Sequence, residues 1–334
     1  MNFYDKPLNY IHLELTTKCN AACPMCLRNK NGDVLNPNLE LVDFNIDWLD
    51  NFDIPINKLT LCGNYGDPTL YKHVHELIER WYQLYNKPIN LMTNGGARST
   101  KWWEELARVG GDKLRVIFGI DGLEDTNHLY RRHVRWDRLM ENAQSFINAG
   151  GNATWKFIIF QHNQHQIDKA RTLAKQMGFA EFEQIKTNRF EQEHLPVVNK
   201  KGETIYTLQE PKFDDTGFTA KNPNRLQQTK PEFDGVIECY ARRESSMYIA
   251  ADGRAYPCCN TGYHYNGFKN NANIEVVELQ KTLQMYNIKD FKLSEIVAGD
   301  FFNVIKSRWQ FNPIKKCIKT CGVVRDNLHK VESL

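Results

Sequence analysis

The chain has 334 residues, 41% hydrophobic and 25% charged, enough for one large domain with a real core and a smaller one beside it. Its 43 basic and 40 acidic residues leave a net charge of +3, too weak a field to point to nucleic acid, so short clusters such as Arg131-Arg132 and Lys315-Lys316 read as solvated surface or local anion contacts. No apolar run approaches the ~20 residues that cross a bilayer, and the charged, proline-containing start has no signal-peptide core, so the reading is a cytoplasmic protein without membrane or nucleic-acid partners.

In chain order, short apolar runs at 11–15, 58–61, 89–92, 114–120, 154–160 and, more weakly, 181–185 read as strands. Between them, 39–50, 71–85, 100–109, 138–149 and 164–177 carry helical spacing, with Gly110-Gly111, Gly150-Gly151 and Gly178 where helix C-caps belong. Strand and helix alternating in this way predict an α/β fold with a parallel sheet, either doubly wound or a partial barrel. In both architectures ligands sit at the C-terminal ends of the strands. The chemically suggestive residues fall there: Cys19 to Cys26 after the first strand, Gly63 to Pro68 after the second, Thr93-Asn94-Gly95 after the third and Asp121-Gly122 after the fourth.

From 187 to 235 the periodicity lapses, with Pro196, Pro211, Pro223 and Pro231 among polar residues, which reads as a long connection. Beyond it, 246–250 and 255–258 flank Ala251-Asp252-Gly253-Arg254 as a β-hairpin, and 295–309 reads as a helix. The expected organisation is a catalytic barrel over 1–190, a linker or cap over 191–236, and a small domain over 237–334.

The nine cysteines are unevenly placed: three within eight residues near the N-terminus, Cys62 alone, then about 175 residues without one before five between Cys239 and Cys321. In a reducing compartment this reads as two metal centres rather than a disulfide framework. Cys19, Cys23 and Cys26, spaced by three and two residues, can wrap one face of a cubane iron–sulfur cluster and leave its fourth iron without a protein ligand. A structural zinc site wants a fourth Cys or His nearby; His12 precedes the loop on a strand and the next histidine is His73.

At this point the sequence resembles the radical S-adenosylmethionine (SAM) superfamily, whose motif is Cys-x3-Cys-x2-Cys. Met25 holds the apolar position that in the family lies near the adenine. Gly63-Asn64-Tyr65-Gly66-Asp67-Pro68 is similar to the family's Gly-x-x-Gly-Glu-Pro segment, which receives the methionine amino group; Asp67 stands where Glu is usual, keeping the charge with a shorter reach. Thr93-Asn94-Gly95 and Gly119-Ile120-Asp121-Gly122 match two further strand-end segments. His128 and Arg131-Arg132 follow at the family's spacing, and Arg131 is the implied partner of the methionine carboxylate. The resemblance covers about residues 10–190. It implies a partial (β/α)6 TIM-like barrel, a 4Fe–4S cluster and SAM as cofactors, and an electron donor such as a flavodoxin or ferredoxin. The implied chemistry is reductive cleavage of SAM to a 5′-deoxyadenosyl radical that abstracts hydrogen from a small-molecule or peptide substrate.

Cys239, thirteen residues, Gly253, four residues and Cys258, followed by Cys317 and Cys321, resemble the auxiliary-cluster domains called SPASM and twitch. Four thiolates suffice for one auxiliary 4Fe–4S cluster with no open iron, so the shorter twitch form fits better; zinc in the same four-thiolate site is the alternative. Cys259 reads as a spare thiol or as the ligand in place of Cys258, and Cys62 as a small core residue.

The tryptophans Trp102-Trp103, Trp136 and Trp155 read as core or barrel wall. Lys156, Gln161, His162 and Asn163 lie at the fifth strand's end, and His162, Tyr263 and His264 are acid–base candidates, none of them singled out by a motif. Families of this layout include alcohol-oxidising dehydrogenases, sulfatase-maturing and peptide cross-linking enzymes, and the molybdenum-cofactor GTP cyclase. The first strand begins by Ile11, leaving no room for a leader-peptide domain, and the chain ends Val331-Glu332-Ser333-Leu334 rather than in the Gly-Gly tail expected of a cyclase. The favoured function is oxidation or radical modification assisted by the auxiliary cluster. The alternatives are a peptide-modifying enzyme with a separate recognition partner and, outside catalysis, a zinc-binding regulatory protein.

Overall fold

The fold is that of a computed structural model, which describes residues 3–187, 189–190, 193–212, 236–262, 275–276, 278–279, 283, 286–322 and 329–333. Tyr263, His264 and most of the expected connection lie outside the described residues. The principal strands are β1 (Tyr10–Leu13), β2 (Lys58–Leu61), β3 (Ile89–Thr93), β4 (Leu114–Gly119), β5 (Asn152–Ile159), β6 (Glu181–Lys186), β7 (His194–Val198), β8 (Thr204–Gln209), β9 (Ser246–Ile249), β10 (Ala255–Tyr256) and β11 (His329–Ser333). The helices are α1 (Val74–Leu84), α2 (Thr100–Gly110), α3 (Asn127–Tyr130), α4 (Trp136–Asn148), α5 (Ile167–Met177), α6 (Tyr240–Arg243), α7 (Leu293–Ala298), α8 (Asp300–Phe311) and α9 (Lys315–Cys321). Among the described residues no helix is long and apolar enough to cross a membrane.

The chain forms two compact units. The first comprises 1–18, 37–89 and 230–325, the second 19–36, 90–229 and 326–334. In the first, β1 pairs in parallel with β2 on one side (Tyr10 opposite Lys58) and with β9 on the other (Tyr10 opposite Ser246). The expected hairpin forms, with β10 antiparallel to β9. That β9 also borders β1 is not visible in local periodicity, because the two are more than 200 residues apart. Phe3 packs against Phe302 and Trp309 at 5.6 and 5.9 Å between ring centroids, closing the apolar side of this unit.

In the second unit β4, β5 and β6 run parallel, Gly119 opposite Lys156 and Ile159 opposite Lys186, and β11 adds antiparallel to β6. Inward and outward side chains alternate along these strands. Phe118, Trp155 and Phe182 share the outward face, where Trp155 meets Phe179 at 5.4 Å and Trp103 of α2 meets Phe118 at 5.2 Å. Trp103 and Trp155 are wholly buried, as expected of barrel-wall residues, whereas Trp102 and Trp136 are half-buried. Gly178 closes α5 in the left-handed conformation at φ 88°, which a Cβ would strain.

Three local expectations differ from the structure. The segment 39–50 forms only a short 3-10 helix, Ile46–Asn51, because residues 42–44 are taken up as an extended partner of the chain after β1: Val42 N donates to Thr17 Oγ1 at 2.9 Å and Phe44 N to the Leu15 carbonyl at 2.9 Å. The single helix expected over 295–309 is two, broken at Gly299, where a Cβ would stand 2.3 Å from the Tyr286 ring. Within the aperiodic 187–235 stretch, β7 and β8 form an antiparallel hairpin whose register shifts between Thr204 and Tyr206, an irregularity that hides its alternation.

Candidate functional site

The cysteine loop belongs to the second unit. Cys19 and Cys26 are half-buried and Cys23 is buried; all three are free thiols. A tight turn sets their spacing, with Cys26 N donating to the Cys23 carbonyl at 3.0 Å and Asn29 N to the Cys26 carbonyl at 3.0 Å. Ala22 N donates to the Arg132 carbonyl at 3.1 Å, which pins the loop against the segment after α3. N–H groups surround the sulfurs: Ala21 N lies 3.4 Å and Asn94 Nδ2 3.7 Å from Cys19 Sγ, and Arg131 Nη1 lies 3.9 Å from Cys23 Sγ. Burial pushes the Cys23 thiol up to about 11, against the pull of Arg131. A buried thiol of that kind ionises readily only when a metal takes the place of its proton. The donor set thus fits a thiolate-bound cluster.

The strand-end residues support this loop. Asn94 exchanges amide hydrogen bonds with Asn20 at 2.9 and 3.3 Å, and Thr93 Oγ1 accepts from Gly95 N at 3.0 Å to turn the chain. Asp121 is wholly buried; it accepts from Arg131 Nε at 2.6 Å and from Ile158 N at 2.6 Å. Burial disfavours the charge on Arg131, yet Asp121 and Cys23 outweigh it and hold the guanidinium above its ordinary pKa. Arg131, expected to meet a methionine carboxylate, pairs with Asp121 beside Cys23. Its guanidinium crosses Gly119, where a Cβ would stand 2.3 Å from Nη2. Met25 is half-buried, and its carbonyl accepts from Arg189 Nη1 at 3.3 Å.

The glycine turn belongs to the first unit. Glycine is required at both ends of it: a Cβ on Gly63 would stand 2.4 Å from the Gly66 carbonyl oxygen and 2.7 Å from Glu14 Oε1, and one on Gly66 would stand 1.8 Å from the Thr16 carbonyl oxygen. Asp67 caps the short 3-10 turn Pro68–Leu70, its Oδ1 accepting from Thr69 N at 3.0 Å and Thr69 Oγ1 at 2.7 Å. Glu14, wholly buried on the chain just after β1, was missed by motif reading; its signal was a carboxylate inside the apolar run 11–15.

The third constellation is a pocket in the first unit lined by Cys239, Cys258, Cys317 and Cys321, with Phe3, Ile305 and Trp309 as apolar walls. Cys317 and Cys321 are four apart on α9 and so share a face. Glu238 N donates to the Cys321 carbonyl at 2.9 Å, drawing Cys239 alongside. The Cys321 hydrogen bond raises Cys239, burial and the adjacent Cys259 raise Cys258 to about 11, and burial with Cys258 and Cys321 nearby raises Cys317 to about 12. Four thiols lining one pocket can supply, as thiolates, the donor set of a closed iron–sulfur cluster. Among the described residues no three His, Cys, Asp or Glu side chains converge as a single ion requires. Cys259 does not line this pocket; its Sγ lies 3.6 Å from Tyr240 Oη, a hydroxyl that also reaches Cys258, and its carbonyl accepts from Asn64 Nδ2 at 2.9 Å. Cys62 is half-buried, its carbonyl 2.6 Å from His12 Nε2.

Comparison with known proteins agrees with this layout. The model of the radical SAM superfamily matches residues 13–174, and that of an iron–sulfur cluster-binding domain, SPASM, matches 239–322. A probable GTP 3′,8-cyclase of Saccharolobus islandicus (strain L.S.2.15 / Lassen #1) is 26% identical over 192 residues, 54% of this chain and 58% of the relative. The chain thus spans little more than half the length of that relative. A tungsten-containing aldehyde ferredoxin oxidoreductase cofactor-modifying protein of Pyrococcus furiosus is 28% identical over 121 residues, 35% of this chain and 32% of that one. Among solved structures, Streptococcus suis SuiB bound to S-adenosylmethionine superposes with a TM-score of 0.53 at 16% identity, covering 94% of this chain and 68% of that one. The protein anSMEcpe with bound AdoMet gives a TM-score of 0.54 at 14% identity, covering 89% and 79%. The fold is the mostly parallel α/β architecture of a partial barrel, and the chain belongs to the radical SAM superfamily, with a C-terminal SPASM-type iron–sulfur domain.

Proposed function

We propose that the protein cleaves SAM reductively and abstracts a hydrogen atom from a substrate, for oxidation or another radical modification, with one auxiliary 4Fe–4S cluster assisting. The cysteine loop carries this reading: three thiols, none followed by a fourth ligand in the loop, with N–H donors at two of the sulfurs. Cys19, Cys23 and Cys26 would hold the SAM-binding cluster; Gly63, Gly66, Asp67 and Pro68 would receive the amino group; Met25, Thr93, Asn94, Asp121 and Arg131 would shape and support the site. Cys239, Cys258, Cys317 and Cys321 would hold the auxiliary cluster. When bound, the cluster and SAM supply a one-electron cleavage that yields a hydrogen-abstracting radical. The residues bind and orient: Asn94 and Arg131 donate toward the thiolate sulfurs, and the two glycines bring backbone close to the site where an amine is taken up. An electron donor such as a flavodoxin or ferredoxin and a cytoplasmic location accompany this reading, since nine free thiols suit a reducing compartment.

A peptide substrate is the second reading. SuiB, whose fold is shared at a TM-score of 0.51, has been solved bound to its precursor peptide SuiA.

The test is anaerobic incubation of the reconstituted protein with dithionite and SAM. Slow release of 5′-deoxyadenosine is expected even without substrate, and Cys26→Ala abolishes it. Methylthioadenosine or S-adenosylhomocysteine as the main product overturns the hydrogen-abstraction reading.

A further inference from the structure

Glu14 is a wholly buried carboxylate with no part in the cluster or its ligands, yet the structure surrounds it with donors. Its Oε1 accepts from Tyr65 N at 2.7 Å and from Gly66 N at 3.1 Å, two successive amides of the glycine turn. Its Oε2 accepts from Tyr248 Oη at 2.5 Å. Tyr248 lies on β9 and stacks edge-on to His12 at 5.0 Å, whose Nε2 sits 2.6 Å from the Cys62 carbonyl immediately before the turn. A second tie runs the same way: Asn64 Nδ2, within the turn, donates to the carbonyl of Cys259 at 2.9 Å, the residue after the pocket cysteine Cys258. Burial pushes the Glu14 carboxyl upward, and the donors of Tyr248, Tyr65 and Gly66 pull it back.

A buried carboxylate is retained only where it is fully hydrogen-bonded, and here it spans two elements that no backbone ladder joins. The turn itself packs too tightly to adjust: Gly63 and Gly66 leave no room for a Cβ against Glu14, the Gly66 backbone and the Thr16 carbonyl. We propose that Glu14 is a positioning residue that sets the 63–68 turn for the amino group of SAM and ties that turn, through Tyr248, to the strand leading into the auxiliary-cluster segment. This rests on the SAM-binding reading of the turn. Glu14 touches neither cofactor nor substrate; it acts by holding the Tyr65 and Gly66 amides, and with them the backbone that follows into Asp67.

The test measures SAM affinity by equilibrium dialysis on anaerobically prepared holoenzyme, with iron content and thermal melting recorded on each variant. Glu14→Leu removes the acceptor that the Tyr65 and Gly66 amides share, and roughly tenfold weaker SAM binding or more is expected from losing hydrogen bonds to a carboxylate. Glu14→Gln keeps an oxygen for the two amides and an NH2 that Tyr248 Oη can accept, so affinity is expected to return to within about threefold of wild type. Tyr248→Phe keeps the ring and removes one donor, so an intermediate, several-fold loss is expected. Should Glu14→Leu fail to fold, Tyr248→Phe against Glu14→Gln decides. Folded Glu14→Leu or Tyr248→Phe protein with wild-type iron and affinity within about twofold overturns the positioning role, assigning Glu14 to stability alone. Failure of the wild type to bind SAM is a separate outcome that overturns the reading beneath it.

Discussion

Asp121 Oδ2 and Arg131 Nε meet at 2.6 Å in a buried ion pair, with the guanidinium reaching on to within 3.9 Å of Cys23 Sγ. Breaking one side of such a pair leaves an uncompensated buried charge, which costs about 3–5 kcal/mol. Arg131→Met is therefore expected to lower the melting temperature sharply and to reduce iron retained by the cysteine loop. Asp121→Asn, which keeps the shape and can still accept from Ile158 N, is expected to lose less. Equal melting of Arg131→Met and wild type would mean that the pair stabilises nothing.

Metal content separates the two thiol sets. Two four-iron clusters predict about eight iron and eight sulfide per chain in anaerobic preparations, and about four of each after Cys19, Cys23 and Cys26 are all changed to Ala. Stoichiometric, tightly held zinc in place of the remaining iron would contradict the auxiliary cluster.

The pocket distinguishes Cys258 from its neighbour. Cys258 lines the pocket with Cys239, Cys317 and Cys321, whereas Cys259 does not and anchors Asn64 through its carbonyl. Cys258→Ala is expected to lose the auxiliary iron and Cys259→Ala to keep it, read by iron content and cluster absorbance. The reverse pattern would exchange their roles.

Cys321→Ala probes what that cluster does. Its loss is expected to spare slow 5′-deoxyadenosine release, which depends on the cysteine loop, and to stop turnover of the true substrate. Closed metal sites also stabilise small domains, so circular dichroism and melts on the same variant separate misfolding from mechanism. A folded variant that lacks the cluster and turns over normally makes the cluster structural.

Most of the parallel sheet and the two thiol sets were legible in the sequence because they rest on local pattern: strand runs, helix spacing, and cysteines at short intervals. The hydrogen bonds that make the site rigid were not, because they join residues far apart. The pairing of β9 with β1, the Glu14–Tyr248 contact across 234 residues and the Arg132–Asp33 ion pair at 2.6 Å leave no local signature. The Arg131–Asp121 pair likewise has no local signature, since it depends on the guanidinium's close approach over Gly119. Residues 39–50 carried helical spacing and lost it to Thr17, whose hydroxyl captured the Val42 amide.

His162, at the end of β5, gives a pH dependence with a definite sign. Its ring stacks on Phe160 at 5.3 Å with an interplanar angle of 12°, and among the described residues neither ring nitrogen has a hydrogen-bond partner. Burial, helped by the nearby His128 and His165, lowers its pKa to about 4. The unfolded chain regains an ordinary histidine pKa of about 6.5 and so binds a proton that the folded protein refuses. Its contribution is thus fully present above about pH 6.5, falls as the pH drops toward 4, and levels off below that. His162→Phe keeps an aromatic stack and removes the titration. Denaturant midpoints of holoenzyme at pH 7.5 and 5.5 are expected to fall more in wild type than in His162→Phe. Groups remote from His162 contribute equally to both proteins and cancel in the difference. An identical fall in the two proteins would show that the folded chain protonates His162 as easily as water does.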